Sequence, residues 1–129
     1  ALNSQLRKEL GQAKYRVEKN RKELTGEQIL SELSFNFWTL MVANKTKRFW
    51  PDLAGGFAGL PTRSSEELSV LLNEVRNFRN RIGHHHRIWR IDLVSMNRKI
   101  ERIAEFIDPA FANWLHEKSR VDDLLKRRP

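Results

Sequence analysis

The chain has 129 residues, of which 24 are Lys or Arg and 16 are Asp or Glu, so its formal net charge is +8. It contains no Cys, which excludes a disulfide-stabilised domain and a zinc site built on thiolates. Its 40% hydrophobic and 31% charged residues are typical of a folded domain, and no stretch of about 20 apolar residues is available to cross a membrane. We expect one domain over residues 1–129 and, because the N-terminal segment is charged and lacks a signal-peptide core, a cytoplasmic location.

The N-terminal segment predicts one long or two short charged helices. Leu2, Leu6 and Leu10 recur at a spacing of four residues, and a charged stretch continues to Leu24. The chain begins with Ala1 instead of Met. We therefore expect further residues to precede it in the full-length protein.

A capping box formed by Thr25 and Gln28 predicts that the next helix begins here and runs to about Lys47. Its apolar residues form a main stripe of Leu30, Leu33, Phe37, Leu40 and Met41, and a second stripe of Phe35, Trp38 and Val42. A helix that is apolar on two sides must be covered on two sides. The second cover comes from the rest of the domain or from a second copy of the chain, so a homodimer is one of the two options.

Residues 49–61 predict a loop that packs onto the core, because two Pro and three Gly interrupt the helix while large apolar residues continue. Ser64 and Glu67 then form a second capping box. The helix that follows is expected to bury Leu68, Leu71, Leu72, Val75, Phe78 and Ile82.

The C-terminal part predicts further helices with their own caps. Asp92 can cap a helix that ends at Asp108-Pro109, where Pro109 can start the next helix, and Ser119 can cap a short tail helix. The apolar positions of these helices are Leu93, Met96, Ile100, Ile103, Ile107, Phe111, Trp114 and Leu115. No strand pattern is present, so we predict an all-α fold of about five or six helices.

Most of the net charge lies in the 27 residues from Arg76 to Arg102. This segment has eight basic groups against Asp92 and Glu101, which gives +6. A dense basic segment attracts polyanions through phosphate neutralisation and release of counterions. The alternative is an ordinary solvated helix face.

Arg79 lies inside the apolar stripe of its helix, about 20° around the helical wheel from Leu68. Because a guanidinium keeps its charge, it needs a partner or a route to water. The partner could be a carboxylate such as Glu74 or Asp92, or a phosphate, and the side chain could also reach solvent at the edge of the stripe.

Three consecutive histidines, His84 to His86, follow the same helix. Neighbouring helical residues point about 100° apart and cannot converge on one metal ion as a pair four residues apart can. His116 is the only other histidine, so the pattern disfavours a zinc site and predicts no metal. Acid–base chemistry suits these imidazoles better, because an unperturbed His titrates near pH 6.5. Exposed or helix-capping histidines are the alternative.

Residues 79–89, RNRIGHHHRIW, resemble the Arg-Asn-x-x-x-His signature of the HEPN superfamily, in the variant found in its Abi-like (abortive infection) branch. The segments LSFNFW at 33–38, FWPDL at 49–53, AGLP at 58–61 and SSEEL at 64–68 resemble the same family in order and spacing. Two departures are Gly83, where Ala is common, and a third histidine, His86. The resemblance implies a dimeric HEPN-like helical bundle that cleaves RNA without a metal or another cofactor.

The resemblance also implies the roles of individual residues. Arg79 would stabilise charge on the phosphorane-like transition state, Asn80 would orient the imidazole or bind a phosphate oxygen, and His84 would transfer the proton of the 2′-OH or of the leaving oxygen. His85 and His86 are supporting candidates. The RNA backbone would be held by Arg76, Arg81, Arg87 and Arg90, with Trp89 either stacking on a base or lying in the core.

The spacing of the motif sets a geometric condition. On one straight helix Arg79 and His84 lie about 140° apart around the axis and about 7.5 Å along it. One rigid helix therefore cannot direct both side chains at one atom. A break at Gly83, or the motif of a second subunit, would solve this.

Three functions remain open from the sequence. The first is a defence or toxin endoribonuclease acting in the cytoplasm, alone or with an antitoxin or another defence-system partner. The second is a non-catalytic HEPN module that binds nucleotide or RNA or serves as a scaffold. The third is a basic helical domain that binds DNA or a protein partner, in which the motif is coincidental.

Overall fold

All regular structure is helical in residues 3–61 and 64–128, which the computed structural model describes, and no strand occurs among them. The α-helices are α1 (Ser4–Lys19), α2 (Gly26–Ser31), α3 (Phe35–Met41), α4 (Trp50–Leu53), α5 (Ser65–Gly83), α6 (Leu93–Ile107), α7 (Pro109–Lys118) and α8 (Val121–Lys126), with 3₁₀ segments at Asn44–Phe49 and Ala54–Phe57. This confirms the all-α class, with more elements than the five or six predicted. Within the described part, none of the helices has both the length and the apolar character required to span a bilayer.

The single helix predicted from Thr25 to Lys47 is wrong, because the chain divides it into α2, α3 and a 3₁₀ segment. Thr25 does cap α2, as predicted: its hydroxyl accepts the Gln28 N–H at 3.3 Å. The Ser34 hydroxyl then accepts the Phe37 N–H at 3.1 Å and starts α3 as a separate helix. Side-chain bonds of this kind compete with a continuous helix, which explains the break.

Helix α1 packs against α2 and α3. Asn3 caps it by accepting the Leu6 N–H at 2.8 Å, and Leu6 and Val17 are buried along one side. Leu2, the first residue of the predicted stripe, lies outside the described residues. The Arg16 guanidinium donates to the Glu32 carbonyl at 2.6 Å, which ties α1 to the end of α2.

The main core lies between α5, α6 and the segment that precedes α5. Its buried members are Val42, Trp50, Leu60, Leu68, Leu71, Leu72 and Phe106. Residues 49–61 therefore pack onto the core as predicted, although they form α4 and 3₁₀ turns instead of an irregular loop.

The start of α5 differs from the predicted capping box. The Ser64 hydroxyl accepts the Glu66 N–H at 3.3 Å, so Ser64 does cap the helix. The Glu67 carboxylate instead accepts two bonds from Arg102 on α6, at 2.9 and 2.5 Å. The predicted burial of Ile82 is also wrong: its side chain is 48% exposed, on the wall of an open groove between α5, α6 and α8.

The predicted starts of α6 at Asp92 and of α7 at Pro109 are confirmed, whereas the N-cap of α8 is Arg120 and not the predicted Ser119. The Asp92 carboxylate accepts the Ser95 N–H at 2.9 Å and starts α6. The Asp108 carboxylate accepts the Ala110 N–H at 2.8 Å before Pro109 opens α7. The Ser119 hydroxyl accepts the Val121 N–H at 3.3 Å.

Gly59 lies where the segment before α5 comes closest to α6. Its N–H donates to the Phe106 carbonyl at 2.9 Å. A Cβ atom at this position would lie 2.2 Å from the backbone oxygen of Glu105. Only glycine permits this approach, which holds Leu60 against the core.

We expect Gly59→Ala to lower the free energy of unfolding by about 1–3 kcal/mol, because the added methyl group meets backbone that cannot move aside. Urea denaturation measures this change. Gly55→Ala is the matched control, since its added Cβ would meet nothing within 4 Å. Equal stability of the two variants would contradict the assigned contact.

Candidate functional site

The C-terminal end of α5 carries the charged part of the motif. Arg79 is exposed, and its Nη1 donates to the Asn80 Oδ1 at 3.2 Å. Neither acid proposed from the sequence is its partner, because Glu74 pairs with Lys99 at 2.8 Å and Asp92 caps α6. Arg79 forms no ion pair with any residue that the structure describes. Its side chain thus reaches solvent at the edge of the apolar stripe.

The helix ends directly after the motif, in a turn formed by His84, His85 and His86, here called the His turn. The His85 N–H donates to the Ile82 carbonyl at 3.0 Å, and the His86 N–H donates to the Arg81 carbonyl at 2.8 Å. His85 has a φ of 56°, in the left-handed region. This is a Schellman ending, in which the left-handed position is most often glycine. The break therefore does not fall at Gly83, which is helical, but at the two residues that follow it.

The three imidazoles are exposed. The ring centroids of His84 and His86 are 5.8 Å apart, with an angle of 34° between the ring planes. Among the described residues, no group of three or more His, Asp or Glu side chains could hold a metal ion. The turn thus presents titratable groups to solvent at the end of α5.

The four arginines predicted to bind RNA fall into two groups of two, which differ in their intramolecular bonds. Arg76 is half-buried, and its Nη1 donates to the Asn36 Oδ1 at 2.7 Å and to the Thr39 hydroxyl at 3.3 Å. The Arg81 Nη2 donates to the Arg87 carbonyl at 2.8 Å, across the His turn. Both guanidinium groups therefore make intramolecular bonds that support the site.

The other two arginines, Arg87 and Arg90, are both exposed. The Arg87 guanidinium lies 5.8 Å from the centroid of the Trp89 ring. Two positions were predicted for Trp89, in the core or on the surface where it could stack on a base. Its side chain is 62% exposed and therefore lies on the surface. These side chains are free to contact a ligand that approaches the His turn.

The basic segment does not form one continuous lining around His84. The cations of Lys99 and Arg102 lie in ion pairs with acids of α5, Glu74 at 2.8 Å and Glu67 at 2.5 Å. These pairs join α5 to α6 and reduce the charge available to a polyanion. Arg79, Arg81, Arg87 and Arg90 form no ion pair among the described residues, so they supply the unpaired positive charge near the His turn.

A recess of about 390 Å³ opens beside Arg79, between the start of α3 and the last turns of α5. We call it the α3–α5 recess, and its lining residues are Leu33, Ser34, Phe35, Asn36, Arg76, Arg79 and Asn80. The sequence reasoning missed Ser34 and Asn36 as site residues. The available signal was two polar side chains within an otherwise apolar segment.

The floor of the recess is a chain of hydrogen bonds that begins at Glu9 on α1. The Ser34 hydroxyl donates to Glu9 Oε2 at 2.5 Å, and the Asn36 Nδ2 donates to Glu9 Oε1 at 2.8 Å. These two bonds, that of Ser34 first, lower the pKa of the Glu9 carboxyl below its ordinary value. The Asn36 Oδ1 accepts from Arg76, so the chain continues to α5.

An apolar groove of about 310 Å³ lies beside the His turn on the other side of α5. Its lining residues are Phe78, Ile82, Ile88, Leu93, Asn97, Ile100, Val121, Leu124 and Leu125. The groove thus combines residues of α5, α6 and α8 with Ile88 of the connection between α5 and α6. The Arg128 guanidinium donates to the Trp89 carbonyl, which ties the end of the described chain to the same connection.

Comparisons with known proteins give no match: no family model, no curated protein and no solved structure matches this chain.

We expect Glu9→Gln to lower the free energy of unfolding at pH 7 by about 1 kcal/mol, because the charged acceptor of two hydrogen bonds is lost. A lowered pKa in the folded state stabilises the fold above the unfolded-state pKa of about 4.3. The difference from the wild type should therefore shrink as the pH falls below that value.

Urea denaturation between pH 7 and pH 3 measures this dependence. Glu18→Gln, at an exposed position on the same helix, is the matched control and should run parallel to the wild type. A difference between Glu9→Gln and the wild type that is the same at every pH would contradict the hydrogen-bonded carboxylate.

Proposed function

We propose that this protein is a metal-independent endoribonuclease of the HEPN type, acting in a cytoplasmic defence or toxin system. The observation that carries the proposal is that Arg79 and His84 are exposed, and Asn80 half-buried, at one end of α5, with no acid paired to Arg79 in the described part of the chain. A buried or neutralised motif would have argued for a structural role. The resemblance of residues 79–89 to the Abi-like signature supplies the reaction class.

The proposed reaction is transesterification within the RNA strand. A His84 imidazole removes the proton of a ribose 2′-OH, the 2′-oxygen attacks the adjacent phosphorus, and the bond from phosphorus to the 5′-oxygen breaks. The leaving oxygen takes a proton from a second imidazole, which leaves a 2′,3′-cyclic phosphate and a 5′-OH. Arg79 stabilises the added negative charge of the transition state. The Asn80 Oδ1 accepts from Arg79, so its Nδ2 remains to donate to a phosphate oxygen.

The reaction needs two imidazoles, and a homodimer supplies the second His84. The apolar groove supports this arrangement, because it lies beside the His turn and keeps Ile82 and Leu124 about half exposed. A second copy that covers this surface would bring the two His turns toward one cleft. We also propose an antitoxin or another defence-system protein as a partner. This proposal rests on the family resemblance alone.

One observation favours a second candidate, a non-catalytic RNA-binding module. Within the described ranges, no side chain hydrogen-bonds to the His84 imidazole. Catalytic histidines are commonly oriented by such a bond. A binding module would retain RNA affinity and show no cleavage.

We expect Arg79→Ala and His84→Ala each to reduce RNA cleavage by about 100-fold or more, because each removes one element of acid–base or charge stabilisation. The measurement is the rate of cleavage of labelled RNA by purified protein. Circular dichroism should show unchanged helix content, since both side chains are exposed.

The matched controls are Arg7→Ala on α1 and His116→Ala on α7, which are also exposed and lie outside the motif. Both should cleave RNA at the wild-type rate. Cleavage by the double variant of Arg79 and His84 at the wild-type rate would refute the proposal. Binding of RNA without cleavage by the wild type would establish the second candidate instead.

We expect the wild type to sediment as a dimer, and Leu124→Glu to be monomeric and inactive. A carboxylate placed on the apolar groove would have to be buried without a partner in the dimer. Val70→Glu is the matched control, because Val70 is also exposed but lies in the N-terminal half of α5. Wild-type cleavage by a monomeric Leu124→Glu would contradict the composite site.

A further inference from the structure

We infer that the α3–α5 recess binds one nucleoside of the RNA strand, next to the phosphate that Arg79 contacts. The inference rests on the proposed function, and it assigns a ligand to a feature that the cleavage chemistry does not use. The recess opens directly beside Arg79 and Asn80, and its volume of about 390 Å³ lies within the range of small-molecule sites. A nucleotide contacting Arg79 would therefore have its sugar and base within reach of α3.

The first argument concerns charge. Ser34 uses its hydroxyl proton on Glu9, and Asn36 uses one of its two amide protons there. Arg76 donates to Asn36, Thr39 and Asn77, and it retains further N–H groups without a partner in the described residues, as do Arg79 and Asn80. None of the described residues that line the recess is an acid, and the Glu9 carboxylate behind its floor accepts bonds from Ser34 and Asn36. A site whose free polar groups are donors on two arginines binds an anion, and the planar guanidinium suits a phosphate.

The second argument concerns the wall opposite the arginines. Leu33 and Phe35 contribute apolar surface there, and Phe35 also packs against the main core. An aromatic side chain beside phosphate-binding arginines is the combination used to bind single-stranded nucleic acid, where bases stack on side chains. Inorganic phosphate alone would leave this apolar wall uncovered, so the recess fits a nucleotide better than a simple anion.

The third argument concerns the floor. The bonds from Ser34 and Asn36 to Glu9, and from Arg76 to Asn36, fix the polar side chains of the floor before any ligand arrives. The Ser34 hydroxyl proton is engaged and Asn36 has a single amide N–H left, so the floor offers few groups to the hydrogen-bonding edge of a base. We therefore expect the recess to bind a base by stacking and apolar contact, with weak preference among the four bases.

The test uses the His84→Ala protein, in which RNA stays intact, and measures binding of fluorescent single-stranded RNA pentamers by anisotropy. One pentamer is complete, and five others each lack one base. We expect loss of one particular base to weaken binding about tenfold, as removal of a stacking partner does. In Leu33→Glu the complete pentamer should bind about tenfold more weakly, and loss of that base should have no further effect.

Leu30→Glu is the matched control, because it makes the same change three residues earlier on α2, outside the recess. It should retain the effect of the missing base. The same sensitivity in Leu33→Glu and Leu30→Glu, or no effect of any missing base, would overturn the inference. So would displacement of the RNA by an Asp-rich peptide as efficiently as by unlabelled RNA, which would assign the recess to a protein partner.

A second variant covers the case in which Leu33→Glu does not fold, as judged by thermal unfolding. Asn80→Asp gives Arg79 the acid that it lacks, and should weaken RNA binding about tenfold, whereas Asn113→Asp on α7 should not. Unchanged binding by Asn80→Asp would overturn the inference.

The two proposals can fail separately. A missing-base effect in a protein whose wild type does not cleave RNA would refute the nuclease and support the recess. Cleavage by the wild type, without any difference between Leu33→Glu and Leu30→Glu, would support the nuclease and refute the recess.

Discussion

The carboxylate of Glu9 connects three parts of the chain that are far apart in sequence. It accepts bonds from Ser34, which caps α3, and from Asn36 on α3, and Asn36 in turn accepts from Arg76 on α5. A partly buried network of this kind loses more than one bond when a member is removed, because the others are left unsatisfied. The network holds the start of α3 beside α5 and so determines where Arg79 lies. Both proposals depend on this junction.

The local caps of the fold were predictable because their partners are at most three residues away. Thr25, Asp92 and Ser119 each accept a backbone N–H at or near the predicted helix start. The extent of the helix after Thr25 was not predictable in the same way. Ser34 lies at helical spacing within an apolar stripe, and its role becomes visible only with Glu9, which is 25 residues away. The local cap of Ser34 and its tertiary bond to Glu9 together separate α3 from α2.

The same distinction applies to the candidate site. The sequence located the motif at the end of a helix, and the structure does end α5 at His84. The count of charges does not show which arginines make intramolecular bonds. Arg76 donates to Asn36, 40 residues away in sequence, whereas Arg87 and Arg90 are exposed. The bond from Arg81 to the Arg87 carbonyl depends on a chain reversal that the sequence does not specify. Charge patterning therefore predicts a basic segment but not the intramolecular partner of each cation.

The Schellman ending of α5 has a consequence for the entropy of ligand binding. The backbone N–H groups of His84, His85 and His86 all donate to carbonyls of the preceding helical turn, so the histidine segment is an extension of the helix and not an open loop. Ordering one residue of a mobile loop costs about 1–2 kcal/mol. In this protein the backbone of the histidine segment is already ordered in the folded state. Within this segment, a ligand therefore has to fix only the imidazole rotamers.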